Sequence, residues 1–202
     1  MKLGLILECP PNGTDHKVYD YVIHKLCTSL EITVIPTGTP NKSQMIKNCG
    51  NIAYSLLKLE HCDTVAIIWD LMPTWGGKPC RKEDVDKIKT SLNDANVDLS
   101  KIKFICIEPE LEGWMIADGS ALTRYKEKIC FPHSVNKFEN VRQSNNNNDS
   151  KKRISKYLER KYNDIIDAIK IVELFDNFDK VAKKHTSFRR LKKFIEELYR
   201  SR

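Results

Sequence analysis

The chain has 202 residues, enough to bury a sizeable core and to form one domain with an appendage or two small ones. Its 41% hydrophobic and 30% charged residues are those of a globular protein, and no apolar stretch approaches the ~20 residues that span a bilayer. The net charge of +7 is uneven: residues 1–118 carry 13 Lys and Arg against 16 Asp and Glu, residues 119–202 carry 21 against 11. An acidic half joined to a basic half suits a polyanionic substrate, although solvated basic helices alone produce such runs.

In chain order, residues 3–7 form an apolar run ending at Glu8, and a turn rich in Pro and Gly follows. A helix is expected over about 15–29, with Val18, Val22, Leu26 and Leu30 on one stripe and Thr14 or Asp15 as its cap. Residues 32–35 read as a short strand that stops at Pro36. Ser43 is expected to open a second helix, with Ile46, Cys49 or Gly50, Ala53 and Leu57 inward. Residues 64–69 form a third strand reaching Asp70, and a Pro/Gly loop runs from Leu71 to Cys80. Val85, Ile88, Leu92 and Ala95 mark a third helix, and residues 102–107 a fourth strand reaching Glu108. This alternation predicts an α/β fold with a mostly parallel sheet flanked by helices over 1–120. Residues 121–150 form an irregular connection containing the polar tract 145–148. Residues 151–202 read as a basic helical region, with Ile154, Leu158, Ile165, Ile169 and Val172 at helical spacing. A last helix carries Phe188, Leu191, Ile195 and Leu198, with Ser187 as its expected cap.

The chemistry lies in the acids. Three buried-looking strands end in Glu8, Asp70 and Glu108, and Glu110 and Glu112 follow the last. Ligands of open parallel sheets bind outside the carboxyl ends of the strands. A carboxylate is costly to bury alone, so acids repeated at that edge point to water, a cation or a metal. A helix cap or a solvated strand end accounts for any one of them. Glu8 and Asp70 are candidate first ligands for Mg or Mn, with Glu108, Glu110 or Glu112 as a third or as ligands of a second ion. Such a like-charge cluster is expected to destabilise the fold when no cation is present.

Other familiar sites are absent. Gly76-Gly77-Lys78 lacks the spacing of a phosphate-binding loop, and neither GxGxxG nor GxSxG occurs. The seven cysteines form no CxxC pair and read as small core hydrophobes in a reducing compartment. The five histidines lack metal spacing and are expected at the surface or as caps. With no leader at Met1, the expected location is cytoplasmic. Trp114 is expected in the core, with stacking on a base as the alternative. Trp75, Lys78 and Arg81 fall in or beside the loop past Asp70, where a substrate would pass. Lys151, Lys152 and Arg153, then Arg189 and Arg190, are candidate phosphate contacts; helix solvation is their ordinary role.

The order of strands and acids resembles a Toprim domain, the metal-binding fold of topoisomerases and primases. Glu8 with the turn through Gly13 and Asp15 matches its first motif, and Asp70 matches the opening acid of its D-x-D. Residues 108–118, beginning Glu108-Pro109-Glu110-Leu111-Glu112-Gly113-Trp114, look like the E-x-E-x-W signature of a Toprim-like family related to OLD-type and RloB-type phage-defence nucleases. Thr186-Ser187-Phe188 is similar to that family's tail. The resemblance implies metal-dependent cleavage of a nucleic acid phosphodiester, with Glu8, Asp70 and Glu112 catalytic, water as nucleophile and a partner ATPase. One position departs: the D-x-D reads Asp70-Leu71-Met72, so its second acid is missing. A module that binds nucleic acid, nucleotide or a partner ATPase without cleavage is the competing expectation. A small phosphorylated substrate is a third.

Overall fold

The four apolar runs become four parallel strands: β1 (Lys2–Leu7), β2 (Thr33–Gly38), β3 (Thr64–Asp70) and β4 (Ile102–Ile107). The computed structural model describes residues 1–10, 13–27, 33–72, 80–130, 133–138 and 149–200, and in these the strand order is β2-β1-β3-β4. Leu7 pairs with Ile68, and Asp70 with Ile107, so Glu8 and Asp70 share one edge of the sheet.

Alternation along each strand sends side chains to two separate cores. Leu3, Leu5 and Leu7, Ala66 and Ile68, and Ile105 and Ile107 face one of them. There they meet α1 (Thr14–Leu26), α4 (Glu112–Ala117), α5 (Gly119–Cys130) and the helices α6 (Ser150–Leu158), α7 (Asp164–Val172), α8 (Phe178–Lys184) and α9 (Thr186–Arg200). Ile6, then Val65, Ile67 and Trp69, then Ile102 and Cys106 face the other core, closed by α2 (Lys42–Lys58) and α3 (Arg81–Asp94). The basic C-terminal helices thus share a core with one face of the sheet. Where α2 crosses α3, Gly50 lies so close that a Cβ there would overlap the Ser91 carbonyl.

Several local expectations shift. The strand predicted to stop at Pro36 continues to Gly38. Thr33 and Thr39 turn their amides inward, to the carbonyls of Met1 and Leu7. By alternation the nitrogen of Pro36 faces outward on this edge strand, where its missing N–H breaks no bond to β1. Helix α1 starts after Gly13, without a side-chain cap, and ends at Leu26; Ser29, Leu30 and Ile32 lie outside the described residues. Helix α2 begins one residue before Ser43, because Asn41 accepts the Gln44 amide as its cap. Helix α5 runs into the stretch 121–150 expected to be irregular, and α8 falls within the region expected to be helical but shows no pattern of its own. The inner face of α5 mixes Ala121, Leu122 and Tyr125 with buried Thr123 and Lys126, and α8 is short, which blurs the periodicity. The tract 145–148 lies outside the described residues.

Trp114 is fully buried, edge-on to Tyr19 and Phe188. Its indole N–H donates to Ser187 Oγ at 3.0 Å, and that hydroxyl meets His185 Nδ1 at 3.0 Å. Ser187 therefore works inside α9 as a tie to α4 and does not cap the helix. His185, expected at the surface or as a cap, is the C-cap of α8 and is buried against Gly113, and burial pushes its pKa down to about 4. All seven cysteines are free; Cys80 and Cys130 are partly exposed and the others are buried.

Candidate functional site

Strand parity sets the two central acids on different faces of one edge. Glu8 continues the side of Ile6, toward α2, whereas Asp70 continues the side of Ile68, toward α1 and α4. The backbone amides of Asp70 and Lys42 hydrogen-bond the Glu8 carboxyl. Burial nevertheless raises its pKa to about 7, against the field of Lys42. Asp70 is raised well above its usual value, first by burial, then by the charges of Asp15, Glu112, Glu8 and Glu110. Glu8 Oε2 and Asp70 Oδ1 are both buried without a hydrogen-bond partner among the described residues. Beyond Asp70 the chain stays pinned to its neighbour, since Leu71 donates to the Ile107 carbonyl at 2.7 Å and Met72 to that of Pro109 at 3.1 Å.

The acids of 108–112 have different surroundings. Glu108 pairs with Arg190 at 2.9 Å. Glu110 Oε1 accepts the Ser150 amide at the start of α6, at 3.1 Å. Glu112 opens α4, is 3% exposed, and faces the Lys151 ammonium at 3.5 Å. Burial raises its pKa to about 7, with Lys151 opposing. The Glu108–Pro109 peptide is cis, and it lies in a turn that ends the strand reading of this segment before α4 begins.

Three residues that the sequence reading did not assign to the site belong with these acids. Asp15, in the first turn of α1, is raised to about 6 by burial, with Lys151 opposing. Asp164, at the start of α7, lies 3.8 Å from the Lys151 ammonium. Lys42, 3% exposed, reaches the Leu71 carbonyl at 2.9 Å and Asp84 at 3.6 Å. Asp84 also accepts the Trp69 indole N–H at 3.1 Å, which links the site to the second core. Asp15 was findable by the rule that found Glu8, since α1 starts just past the carboxyl end of β1. For Lys42 and Asp164 the sequence holds no local signal.

The predicted basic contacts divide. Lys151 lies in the acidic site. Lys152 is paired with Asp149, and Arg190 with Glu108. Arg81 and Arg189 are exposed and Arg153 is half-buried, and none of the three makes an ion pair among the described residues. Trp75 and Lys78 lie outside the described residues.

Comparison with known protein families, characterised proteins and solved structures finds no match. The donor set therefore has to speak for itself. It consists of hard carboxylate oxygens, two of them buried and unpartnered, which suits Mg²⁺ or Mn²⁺. Among the described residues no three His, Cys, Asp or Glu side chains stand close enough to enclose an ion together. An ion held by Glu8 and Asp70 would complete its shell with water and substrate oxygens, as Mg²⁺ ordinarily does. Among the described residues no helix is long and apolar enough to cross a membrane.

Proposed function

We propose that this chain hydrolyses phosphodiester bonds of nucleic acid with Mg²⁺ or Mn²⁺ held by Glu8 and Asp70. The observation that carries this reading is the pair of buried, unpartnered carboxylate oxygens at the carboxyl edge of the sheet. A divalent cation there would offset the acidic field, polarise the phosphodiester and stabilise the leaving oxygen. Glu8 and Asp70 supply fixed oxygens from two neighbouring strands, which orients whatever they hold. Glu112, raised to about 7, exchanges a proton near neutral pH and so can take one from an attacking water. Exposed Arg81 and Arg189 and half-buried Arg153 are the phosphate contacts this reading retains. A Toprim-like kinship, a role in phage defence with a partner ATPase, and a cytoplasmic setting belong to the same proposal. The free cysteines support the setting.

A specific observation favours the second reading, a binding module without cleavage. Met72 stands where a second acid would complete the D-x-D, and Glu108, Glu110 and Glu112 each already have a partner. One experiment separates the readings: thermal melting in EDTA, Mg²⁺ and Mn²⁺, followed by cleavage of labelled DNA and RNA, with wild type, Glu8→Gln and Asp70→Asn. A ligand of the folded state alone must raise the melting temperature. A rise lost in both variants, with cleavage lost alongside, is the expected result. A rise without cleavage selects the binding module, and no metal response removes the metal reading.

A further inference from the structure

At the end of the sheet opposite the acids, a cavity of about 130 Å³ opens where the last turns of α2 face the segment between α3 and β4. Two local turns build it. Asn96 follows α3 at a positive φ of 52°, a conformation asparagine tolerates, and its amide donates to the Asn93 carbonyl at 2.9 Å. Asp98 then caps the short 3₁₀ turn Leu99–Lys101, accepting the Ser100 amide at 2.9 Å. Val97, between them, is buried and with Leu57 gives the cavity an aliphatic wall. Tyr54 lines the same cavity and is 46% exposed, so part of its ring stays open to solvent. Lys58 and Lys101 bring two ammonium groups against the one carboxylate of Asp98, which leaves the cavity net positive. Ser100, through its hydroxyl and its amide, and then Lys101 and Lys58, hold that carboxyl below its usual range, so it is ionised at neutral pH.

An apolar cavity of about 150 Å³ takes a benzene ring. This one therefore has room for a single six-membered ring, and a fused two-ring system would project from its mouth. Its walls offer an aromatic face for stacking, two cations for an anion, and the Asn96 amide and Asp98 carboxylate for the edge of a ring. A carboxylate has about four acceptor positions, and Ser100 occupies two of those on Asp98. We infer that this cavity is a nucleotide site distinct from the acidic edge, taking one pyrimidine nucleotide with its ring on Tyr54 and its phosphate at Lys58 and Lys101. Strand β3 runs from Thr64 to Asp70, and at about 3.3 Å per residue it puts on the order of 20 Å of sheet between the two ends. The cavity shares no residue with the acidic edge, and its occupancy does not depend on the metal reading above. Its ligand chemistry is common to a free nucleotide and to one unstacked unit of a single strand.

The test is titration of the full chain in EDTA. Cytidine, uridine and adenosine monophosphates are followed by calorimetry, and labelled single-stranded oligocytidylate and oligoadenylate by anisotropy. The variants are Tyr54→Ala, Tyr54→Phe and the double variant Lys58→Gln/Lys101→Gln, all changed at exposed positions. Wild type should bind one pyrimidine nucleotide per chain, more tightly than the purine. Tyr54→Ala should weaken binding at least about fivefold, the lower end of what stacking on an aromatic ring contributes, and Tyr54→Phe should retain it. The lysine variant should bind more weakly and with less dependence on salt. Binding of the monophosphates marks a free nucleotide as a sufficient ligand; binding of the oligonucleotide alone, lost in Tyr54→Ala, marks a single strand. A purine probe as tight as its pyrimidine counterpart, binding unchanged in Tyr54→Ala, or no binding of either probe in wild type overturns the inference. Because EDTA silences the acidic edge, each of these results leaves the metal reading as it stood, and that reading fails separately, by the lack of a metal response in melting.

Discussion

Glu8→Gln should make the protein more stable, by an amount that grows as pH rises from 4.5 and levels off above about 7. In the folded chain burial raises the Glu8 carboxyl from its usual 4.5 to about 7. Between those values the folded protein keeps a proton that the unfolded chain releases. Stability fully present below pH 4.5 is therefore lost as pH rises through the folded value near 7. The shift corresponds to an upper bound of about 3 kcal/mol, at about 1.4 kcal/mol per unit. Glu8 is partly exposed, and solvent screening lowers the expected gain to about 1.5 kcal/mol. Glutamine keeps the shape and an acceptor for the Asp70 and Lys42 amides but carries no charge to desolvate. The variant should melt about 3–6 °C above wild type near pH 8 in EDTA, and level with it near pH 4.5. Urea denaturation at both pH values checks the free energy directly. A variant no more stable than wild type near pH 8, or one with the same advantage at both pH values, refutes burial of the ionised carboxyl as the cause. Saturating Mn²⁺ should reverse the order by stabilising wild type alone.

Other perturbations probe what holds the site in place. Ser187→Ala leaves the Trp114 indole N–H and His185 Nδ1 without their shared hydroxyl, and should cost about 1–3 kcal/mol, seen as a lower urea midpoint at unchanged slope. Gly50→Ala forces a methyl group into the Ser91 carbonyl where α2 meets α3, and should lower stability by about 1–3 kcal/mol; a neutral result would mean that the two helices part easily. Asp167 is fully buried and accepts two bonds from Arg160, each 2.8 Å, besides those from Tyr125 and the Asn163 amide. Asp167→Ala should therefore cost about 3–5 kcal/mol in the same assay. Binding of a labelled polynucleotide should weaken steeply with added salt, as released counterions require, and anisotropy titrations at several salt concentrations measure that slope; a flat slope points to a small-molecule substrate.

The sheet was legible because the strands are nearly continuous apolar runs, and because Glu8, Asp70 and Glu108 mark where each leaves the core. Parity, fixed once the register is known, then separates Leu3, Leu5 and Leu7 from Ile6. The partners of the acids were not legible. Lys151 belongs to a run, Lys151-Lys152-Arg153, that composition reads as surface, yet its ammonium reaches Glu112, a contact spanning 39 positions that rests on how α6 packs against α4. Lys42 looks like an ordinary first-turn lysine, and only the closeness of β3 and α3 explains its burial. The burial of His185 and Ser187 was hidden for the same reason. His185 does cap α8, but the buried indole that occupies Ser187 beside it lies 73 positions away from Ser187.

Pro36 carries a consequence for how copies of this chain can associate. An edge strand normally offers a row of amides to any passing strand, which is how sheets extend across molecules and how aggregation starts. On β2 the outward-facing nitrogens belong to Val34, Pro36 and Gly38, and the middle one has no hydrogen to give. A visiting strand would find the ladder interrupted at its centre, with a glycine of high conformational entropy beside it. Self-assembly through this margin is thereby discouraged by one ring closure in the backbone, and replacing that proline with valine would restore a continuous edge.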